Sequence, residues 1–412
     1  MAQLDTVTFT IDQLTGRIFN SDSLPYGTKV EKVLCTITAA SSYSLSGIEV
    51  SPEALGDSTY YMSSLSDSID FSKPVKFVVH SYDDLTTKVY EAWVNIHQVE
   101  PDSMVWSRYA SPMIDMDIAE QKVMPFGYAG EESYLMYVKP STSGAGYLLY
   151  RASVDEPDGW TPLTLTGLPS DGLMLAGMTE YADTLYICAT DGKLYRSADG
   201  LAWETMTDAP SVSYLLGIVK AGSRQTECLS AVADKGGTPT FYALGETGVW
   251  TEGDAVSDGF PVSGFGSVNY EAMHHQYLMI AGGRDAADNL LGDTWATMNG
   301  LSWARISSDE QSFTEREGAM VAYYDDKIYL IGGVDAANQG LKDIYQSIDR
   351  GVSWSLQDSL VTLPADYAGR GFSSIVVDGE NRVNLFGGKT SRTGSDLNEL
   401  WRGRIFRLVP KE

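Results

Sequence analysis

The sequence predicts an all-β protein in which a small β-sandwich precedes a six-bladed β-propeller. A cassette of an apolar strand, an aromatic strand and a turn leading to tryptophan recurs six times after residue 102. The second aromatic residue of the cassette returns roughly every 45 to 56 positions, the period of propeller blades. Residues 1–100 lack the cassette and show short alternating strands between turn residues. We therefore expect a domain at 1–100 and a propeller at 101–412.

The first domain is predicted from its strand pattern. Apolar and polar residues alternate over residues 7–11, 33–37, 75–79 and 89–96, with turn residues between them. Such short strands are typical of a small sandwich.

The six blades are predicted from the repeated aromatic residue, which we place in the third strand of each blade. Neighbouring copies must stack, because one cassette alone cannot bury both of its faces. The repeated aromatic residues are Tyr150, Tyr195, Trp250, Trp295, Tyr345 and Trp401.

A Ser-x-Asp turn before the last strand of two blades is expected to be structural. Ser347, Asp349, Gly351 and Trp354 show the full pattern, and residues 197–203 show it with one residue missing. The aspartate accepts hydrogen bonds from turn amides, glycine takes the left-handed conformation, and tryptophan packs between neighbouring blades.

The ring is predicted to close by pairing its two ends. Five aromatic residues mark final strands, and the sixth final strand is missing after Trp401. Residues 103–108, which contain Trp106, resemble a final strand and would complete the last blade, removing an exposed edge. The five marked positions are Trp160, Trp203, Phe260, Trp303 and Trp354.

Several of these motifs resemble known families. Arg316-Glu317-Gly318 and Arg370-Gly371-Phe372 precede Gly-Gly strands as in kelch repeats, and the Ser-x-Asp turns resemble Asp-boxes. Residues 24–33, 51–55 and 68–96, in this order, resemble the immunoglobulin-like domain at the N-terminus of Bacteroidetes surface lipoproteins. The resemblance implies an exported protein, at the outer membrane, cell surface or periplasm, with a lipid anchor on the full-length precursor.

Composition limits the partners. The formal net charge is −26, which argues against binding to nucleic acid. No stretch approaches the roughly 20 apolar residues that a membrane helix needs. We expect a monomer that binds a glycan or protein ligand.

No cofactor, metal site or catalytic set is predicted. The three cysteines lie in apolar strand contexts without metal-binding spacing, although a bridge between Cys188 and Cys228 is conceivable in an oxidising compartment. Adjacent histidines on a turn point in different directions, so His274 and His275 are poor partners for one metal ion.

One face of the propeller carries the candidate ligand-binding residues. The start of the innermost strand and the loop between the second and third strands share this face. Its carboxylates and guanidiniums suit a polyhydroxylated ligand, although the aspartates also fit as caps of repeated turns. The candidates are Arg316, Arg370, Glu317, Arg284, Asp285 and Asp335.

Two functions are compatible with this pattern. We expect a non-catalytic binding module for a glycan or protein ligand at the cell surface or in the periplasm. The alternative is a carbohydrate-active enzyme resembling the kelch-type sugar mutarotases, in which Glu317 with Arg316 or Arg370 would assist ring opening by proton transfer.

Overall fold

The computed structural model describes residues 7–35, 47–55, 60–61, 68–128, 130–223 and 225–406. The last two residues of the predicted strand 33–37 lie outside this range. The chain divides into two compact units, with the change at Ser103/Met104 and again at Ile405/Phe406. Across the described residues, no helix is both long and apolar enough to cross a membrane.

The N-terminal unit contains eight strands among its described residues. Six of them form one sheet in the order β1-β2-β8-β7-β4-β5, in which β2 and β8 are parallel, and β3 pairs with β6. A short 3-10 turn covers Glu53–Leu55. The strands are β1 (Phe9–Asp12), β2 (Arg17–Asn20), β3 (Val33–Leu34), β4 (Gly47–Pro52), β5 (Tyr60–Tyr61), β6 (Ser68–Ile69), β7 (Val75–His80) and β8 (Thr87–Trp93).

The core of this unit follows from strand alternation. Val75 and Phe77 of β7 point inward together with Ala92 of β8 and Val50 of β4, while Lys76 between them points to solvent. Alternate side chains of a strand face opposite sides of a sheet, so every second apolar residue is buried.

The second unit contains six four-stranded antiparallel sheets, which we number 1 to 6 in chain order. Strand β9 (Met104–Ala110) comes first and belongs to sheet 6. A second 3-10 turn, Leu175–Gly177, precedes sheet 2. Sheet 1 contains β10 (Ile118–Tyr128), β11 (Glu131–Pro140), β12 (Leu148–Ser153) and β13 (Thr161–Leu163); sheet 2 contains β14 (Thr179–Tyr181), β15 (Thr184–Cys188), β16 (Leu194–Ser197) and β17 (Glu204–Thr205); sheet 3 contains β18 (Val212–Val219), β19 (Cys228–Lys235), β20 (Thr238–Gly245) and β21 (Trp250–Ala255).

The remaining sheets repeat the same order. Their first strands contact one another along the series, and β30 also contacts β10 of sheet 1. Sheet 4 contains β22 (Gly266–Ala272), β23 (His275–Ala281), β24 (Thr294–Thr297) and β25 (Ala304–Arg305); sheet 5 contains β26 (Met320–Tyr324), β27 (Lys327–Val334), β28 (Gly340–Ser347) and β29 (Ser355–Leu356); sheet 6 contains β30 (Ser374–Val377), β31 (Val383–Phe386), β32 (Leu400–Ile405) and β9.

The aromatic residues before the final strands pack against the preceding sheet. Trp203 of sheet 2 lies edge-on against Tyr137 of sheet 1, with ring centroids 5.8 Å apart. Trp303 of sheet 4 lies tilted against Phe241 of sheet 3, with ring centroids 6.2 Å apart. These contacts confirm that the repeated tryptophans join neighbouring sheets.

The Ser-x-Asp turn of sheet 5 is closed by its own side chains. Asp349 Oδ1 accepts a hydrogen bond from the Ser353 amide at 2.9 Å, and Ser347 Oγ accepts one from the Gly351 amide at 2.8 Å. Trp354 then donates its indole N–H to Thr294 Oγ1 of sheet 4 at 3.1 Å. The turn thus sets the position of a tryptophan that bridges two sheets.

Sheet 3 departs from the predicted strand assignment. Trp250 begins the fourth strand, whereas the third strand, β20, carries Tyr242. The second and third strands are joined here by Gly236-Gly237, both at positive φ, so the third strand starts earlier than in its neighbours. Two glycines at positive φ make the tight hairpin possible.

Strand β9 completes sheet 6, as predicted for residues 103–108. It pairs antiparallel with β32, with Arg108 opposite Trp401 and Trp106 opposite Gly403. A Cβ atom on Gly403 would lie 2.6 Å from Trp106 Cε3, so the glycine is what admits the indole. The pairing covers the edge of β32.

We expect deletion of residues 1–108 to destabilise the second unit, whereas deletion of residues 1–99 leaves it folded. The longer deletion removes most of β9 and exposes the backbone of β32, an unpaired edge that promotes aggregation. Melting temperature and the monomer fraction in size-exclusion chromatography measure the difference. Equal values for the two truncations would contradict the role given to β9.

Candidate functional site

Arg316 connects sheets 4 and 5. Its backbone N–H donates to Leu291 O and its carbonyl accepts from Gly283 N, both in the loop between β23 and β24 of sheet 4. Its guanidinium donates to Gly332 O at 2.9 Å and to both carboxylate oxygens of Asp343 at 2.6 and 3.0 Å in sheet 5. The other donors reach the carbonyl and hydroxyl of Thr314. All five N–H donors are therefore engaged within the protein.

Arg370 makes the same connection between sheets 5 and 6. Its backbone bonds Leu341 and Gly333 of sheet 5. Its side chain donates to Gly387 O at 3.2 Å and to Glu399 Oε1 at 2.5 Å. Its guanidinium also lies over the Tyr367 ring, 4.2 Å from the centroid.

The acidic partners of these arginines were not singled out from the sequence. Asp343 and Glu399 each lie two residues before the aromatic residue of the third strand. This position, two residues before the aromatic residue, is the recurring signal that could have identified them. The two acids follow their arginines by 27 and 29 residues. Both predicted arginines are buried, and these contacts hold neighbouring sheets together.

Asp285 and Asp335 close the repeated loops between the second and third strands. Asp285 Oδ1 accepts from the amides of Ala287 and Asn289, each at 2.9 Å. Asp335 Oδ1 makes the equivalent bonds to Ala337 and Gln339. The side-chain and backbone N–H groups of Asn289 hold the pKa of Asp285 below its usual value. Both aspartates therefore act as turn caps in this structure.

Arg284 and Glu317 come together with two further charged residues in a closed ring. Arg284 Nη2 lies 2.9 Å from Glu317 Oε1, and Glu317 Oε2 lies 3.6 Å from Arg392 Nε. Arg392 Nη1 lies 3.2 Å from Asp288 Oδ1, and Asp288 Oδ2 lies 3.5 Å from Arg284 Nη1. We call Arg284, Glu317, Arg392 and Asp288 the charge ring.

The charge ring joins three consecutive sheets. Arg284 and Asp288 lie in the loop between β23 and β24, Glu317 precedes β26, and Arg392 lies between β31 and β32. Arg392 is held there because its backbone N–H donates to Asn338 Oδ1 at 2.8 Å. Sequence reasoning did not select Arg392, because its loop has no counterpart of the same sequence in the other cassettes.

Exposure rises from one side of the charge ring to the other. The side chain of Glu317 is 3% exposed and that of Arg284 is 15% exposed, whereas those of Arg392 and Asp288 are 44% and 66% exposed. The two buried residues anchor the charge ring, and the two exposed residues present donors and acceptors to solvent. Such an arrangement can bind a polar ligand by charge-assisted hydrogen bonds.

Two titratable groups near the innermost strands have displaced pKa values. Burial raises the pKa of Asp396 to about 7, against the hydrogen bond from Gly388 N and the nearby positive charges of Lys389 and Arg370. Burial lowers the pKa of Lys122 to about 8, and Lys122 Nζ donates to Ala176 O at 3.2 Å.

No described group of His, Cys, Asp and Glu side chains is placed to hold a metal ion. The three cysteines are free thiols, and burial raises the pKa of both Cys188 and Cys228 to about 11. Cys188 and Cys228 are therefore not joined in this structure.

We expect Arg316→Ala and Arg370→Ala each to lower the free energy of unfolding by about 2 to 4 kcal/mol. This loss is somewhat smaller than for a fully buried pair, because the acidic partners are partly exposed to solvent. Arg305→Ala is the matched control: Arg305 is 42% exposed and pairs with Asp293 and Asp309, so about 1 kcal/mol or less is expected. Chemical denaturation followed by tryptophan fluorescence measures these values. An Arg316→Ala protein as stable as Arg305→Ala would refute the connecting role.

We expect Asp396→Asn to remove one component of the pH dependence of stability. The folded protein binds the Asp396 proton more tightly than the unfolded chain does, because burial raises the pKa of Asp396 from the ordinary aspartate value of 3.8 to about 7. This group therefore lowers the free energy of unfolding as pH rises from about 4 to about 7, by on the order of 4 kcal/mol. Asparagine keeps an oxygen that can accept from Gly388 N. Parallel profiles of unfolding free energy against pH for the two proteins would show that Asp396 does not contribute.

Comparison with known proteins gives a family for both units. Residues 1–94 match the N-terminal domain of DUF6242, a domain of unknown function, and residues 100–412 match the DUF6242 beta propeller domain. No curated protein matches the chain. One similar solved structure is titled "Structure of YjhT"; it has a TM-score of 0.48 and 11% sequence identity, over 69% of this chain and 95% of that chain. The chain therefore belongs to the DUF6242 family, and its larger part is a β-propeller.

Proposed function

We propose that this protein is a non-catalytic binding module whose propeller holds a glycan or protein ligand at the charge ring. In this proposal the six four-stranded sheets are the blades of one six-bladed ring of kelch and Asp-box type. The N-terminal unit is an immunoglobulin-like spacer. The resemblance to Bacteroidetes lipoproteins supports export to the cell surface or periplasm, with a lipid anchor on the precursor.

The observation that carries the proposal is the half-exposed charge ring. Asp288 and Arg392 present a carboxylate and a guanidinium to solvent. Asp288 is held by Arg284 of its own loop, and Arg392 is held by Glu317, which precedes β26. Binding groups held before the ligand arrives lose little conformational entropy on binding. Alternating acceptors and donors suit hydroxyl groups, which both donate and accept.

The surroundings of Glu317 favour binding over the mutarotase alternative. Its carboxylate is almost fully buried and lies between Arg284 and Arg392. A general acid or base must reach the proton that it transfers. Arg316 and Arg370, its proposed helpers, are engaged in contacts between sheets.

We expect glycan arrays and pull-down screens to identify a ligand whose affinity falls about tenfold or more in Arg392→Ala, because a charge-assisted hydrogen bond is lost. Arg196→Ala is the matched control. Arg196 is 45% exposed and pairs with a 66% exposed Glu204, close to the exposures of Arg392 and Asp288.

Equal losses of affinity in the two variants would show that the ligand does not bind at the charge ring. A failure to find any ligand, together with rapid interconversion of sugar anomers followed by NMR, would favour the mutarotase instead.

A further inference from the structure

Asp288 is the exposed acid that joins the two arginines of the charge ring. Its carboxylate lies 3.5 Å from Arg284 Nη1 and 3.2 Å from Arg392 Nη1. Arg284 also donates to the backbone carbonyl of Asp288 at 2.7 Å. A carboxylate between two guanidiniums from different sheets is thus held by a surface loop.

The loop itself does not require an acid at this position. The equivalent residue in sheet 5 is Asn338, and both residues take left-handed φ values of 64° and 57°. In both loops an aspartate, Asp285 or Asp335, caps the turn. Asparagine adopts the left-handed conformation at least as well as aspartate. The negative charge at 288 therefore acts on the arginines and not on the turn.

We propose that Asp288 occupies the place of a ligand carboxylate, and that the charge ring recognises an acidic glycan such as one bearing a uronic acid. This inference rests on the proposed function and specifies its ligand. Guanidiniums bind carboxylates in a planar, two-point geometry that a hydroxyl group cannot match. The ligand would replace Asp288 between Arg284 and Arg392, while Glu317 stays buried beneath them.

Local charge makes this exchange feasible in an acidic protein. With Asp288 displaced, two guanidiniums face the single carboxylate of Glu317, so the site is locally positive. The formal net charge of −26 is spread over the whole chain. At physiological ionic strength, charges beyond about 8 Å are largely screened. The nearest charges therefore decide the sign of the site.

The test compares Asp288→Asn with the wild-type protein. Asparagine is native at the equivalent position 338, so the variant should fold. Methyl β-glucuronide and methyl β-glucoside differ only at C6, which is a carboxylate in the first and a hydroxymethyl group in the second. Their dissociation constants can be measured by ligand-observed NMR. We expect Asp288→Asn to bind the glucuronide about tenfold more tightly and the glucoside no more tightly than the wild type does, because a competing internal anion is removed.

Two controls separate the site from overall charge. Glu246→Gln removes one negative charge from an exposed turn of sheet 3 and should change neither affinity. Adding Arg392→Ala to Asp288→Asn should abolish the gain for the glucuronide.

The inference is overturned if the folded Asp288→Asn protein binds the glucuronide no better than the wild type does. It is equally overturned if both glycosides gain alike. If a ligand loses affinity in Arg392→Ala but shows no preference for a carboxylate, the proposed function stands and this inference is wrong. If the array and pull-down screens find no ligand, the proposed function itself is wrong.

Discussion

Arg316 and Arg370 each join the backbones of two sheets, and the geometry of the Gly-Gly strands depends on them. A Cβ atom on Gly333 would lie 3.1 Å from Arg316 Cδ, and one on Gly388 would lie 2.9 Å from Arg370 Cδ. The second glycine therefore provides the space that each arginine fills. The first glycine, Gly332 or Gly387, supplies the carbonyl that the guanidinium binds. Arginine and Gly-Gly are one structural unit, although they belong to separate parts of the cassette.

This unit also fixes the position of Glu317, the most buried residue of the charge ring. Glu317 follows Arg316 directly, so the backbone that fixes the arginine also fixes the acid. Glu317 N–H and C=O both bond Val334 of the same sheet. The exposed residues of the charge ring thus contact a buried residue whose backbone is fixed by hydrogen bonds.

The repeated pattern made the sheets and the pairing of β9 predictable, because aromatic spacing and turn residues are local signals. Trp250 was assigned to the wrong strand, since Gly236-Gly237 shortens the connection in sheet 3 and shifts the spacing. The repeat also brought Arg284 and Glu317 onto one face. It could not give Arg392, which reaches the charge ring through a loop of its own. Nor could it show that Arg316 is fully engaged, because its partner Asp343 is recognisable only once the strands are paired.

The pairing of β9 with β32 also sets an order for assembly. Arg108 and its partner Trp401 are 293 residues apart in the chain. At synthesis rates of about 5 to 20 residues per second, β9 would wait roughly 15 to 60 seconds for its partner. During that time Trp106 has no Gly403 to pack against. Strand β9 therefore remains unpaired with β32 until β32, the last strand of the propeller, has been synthesised.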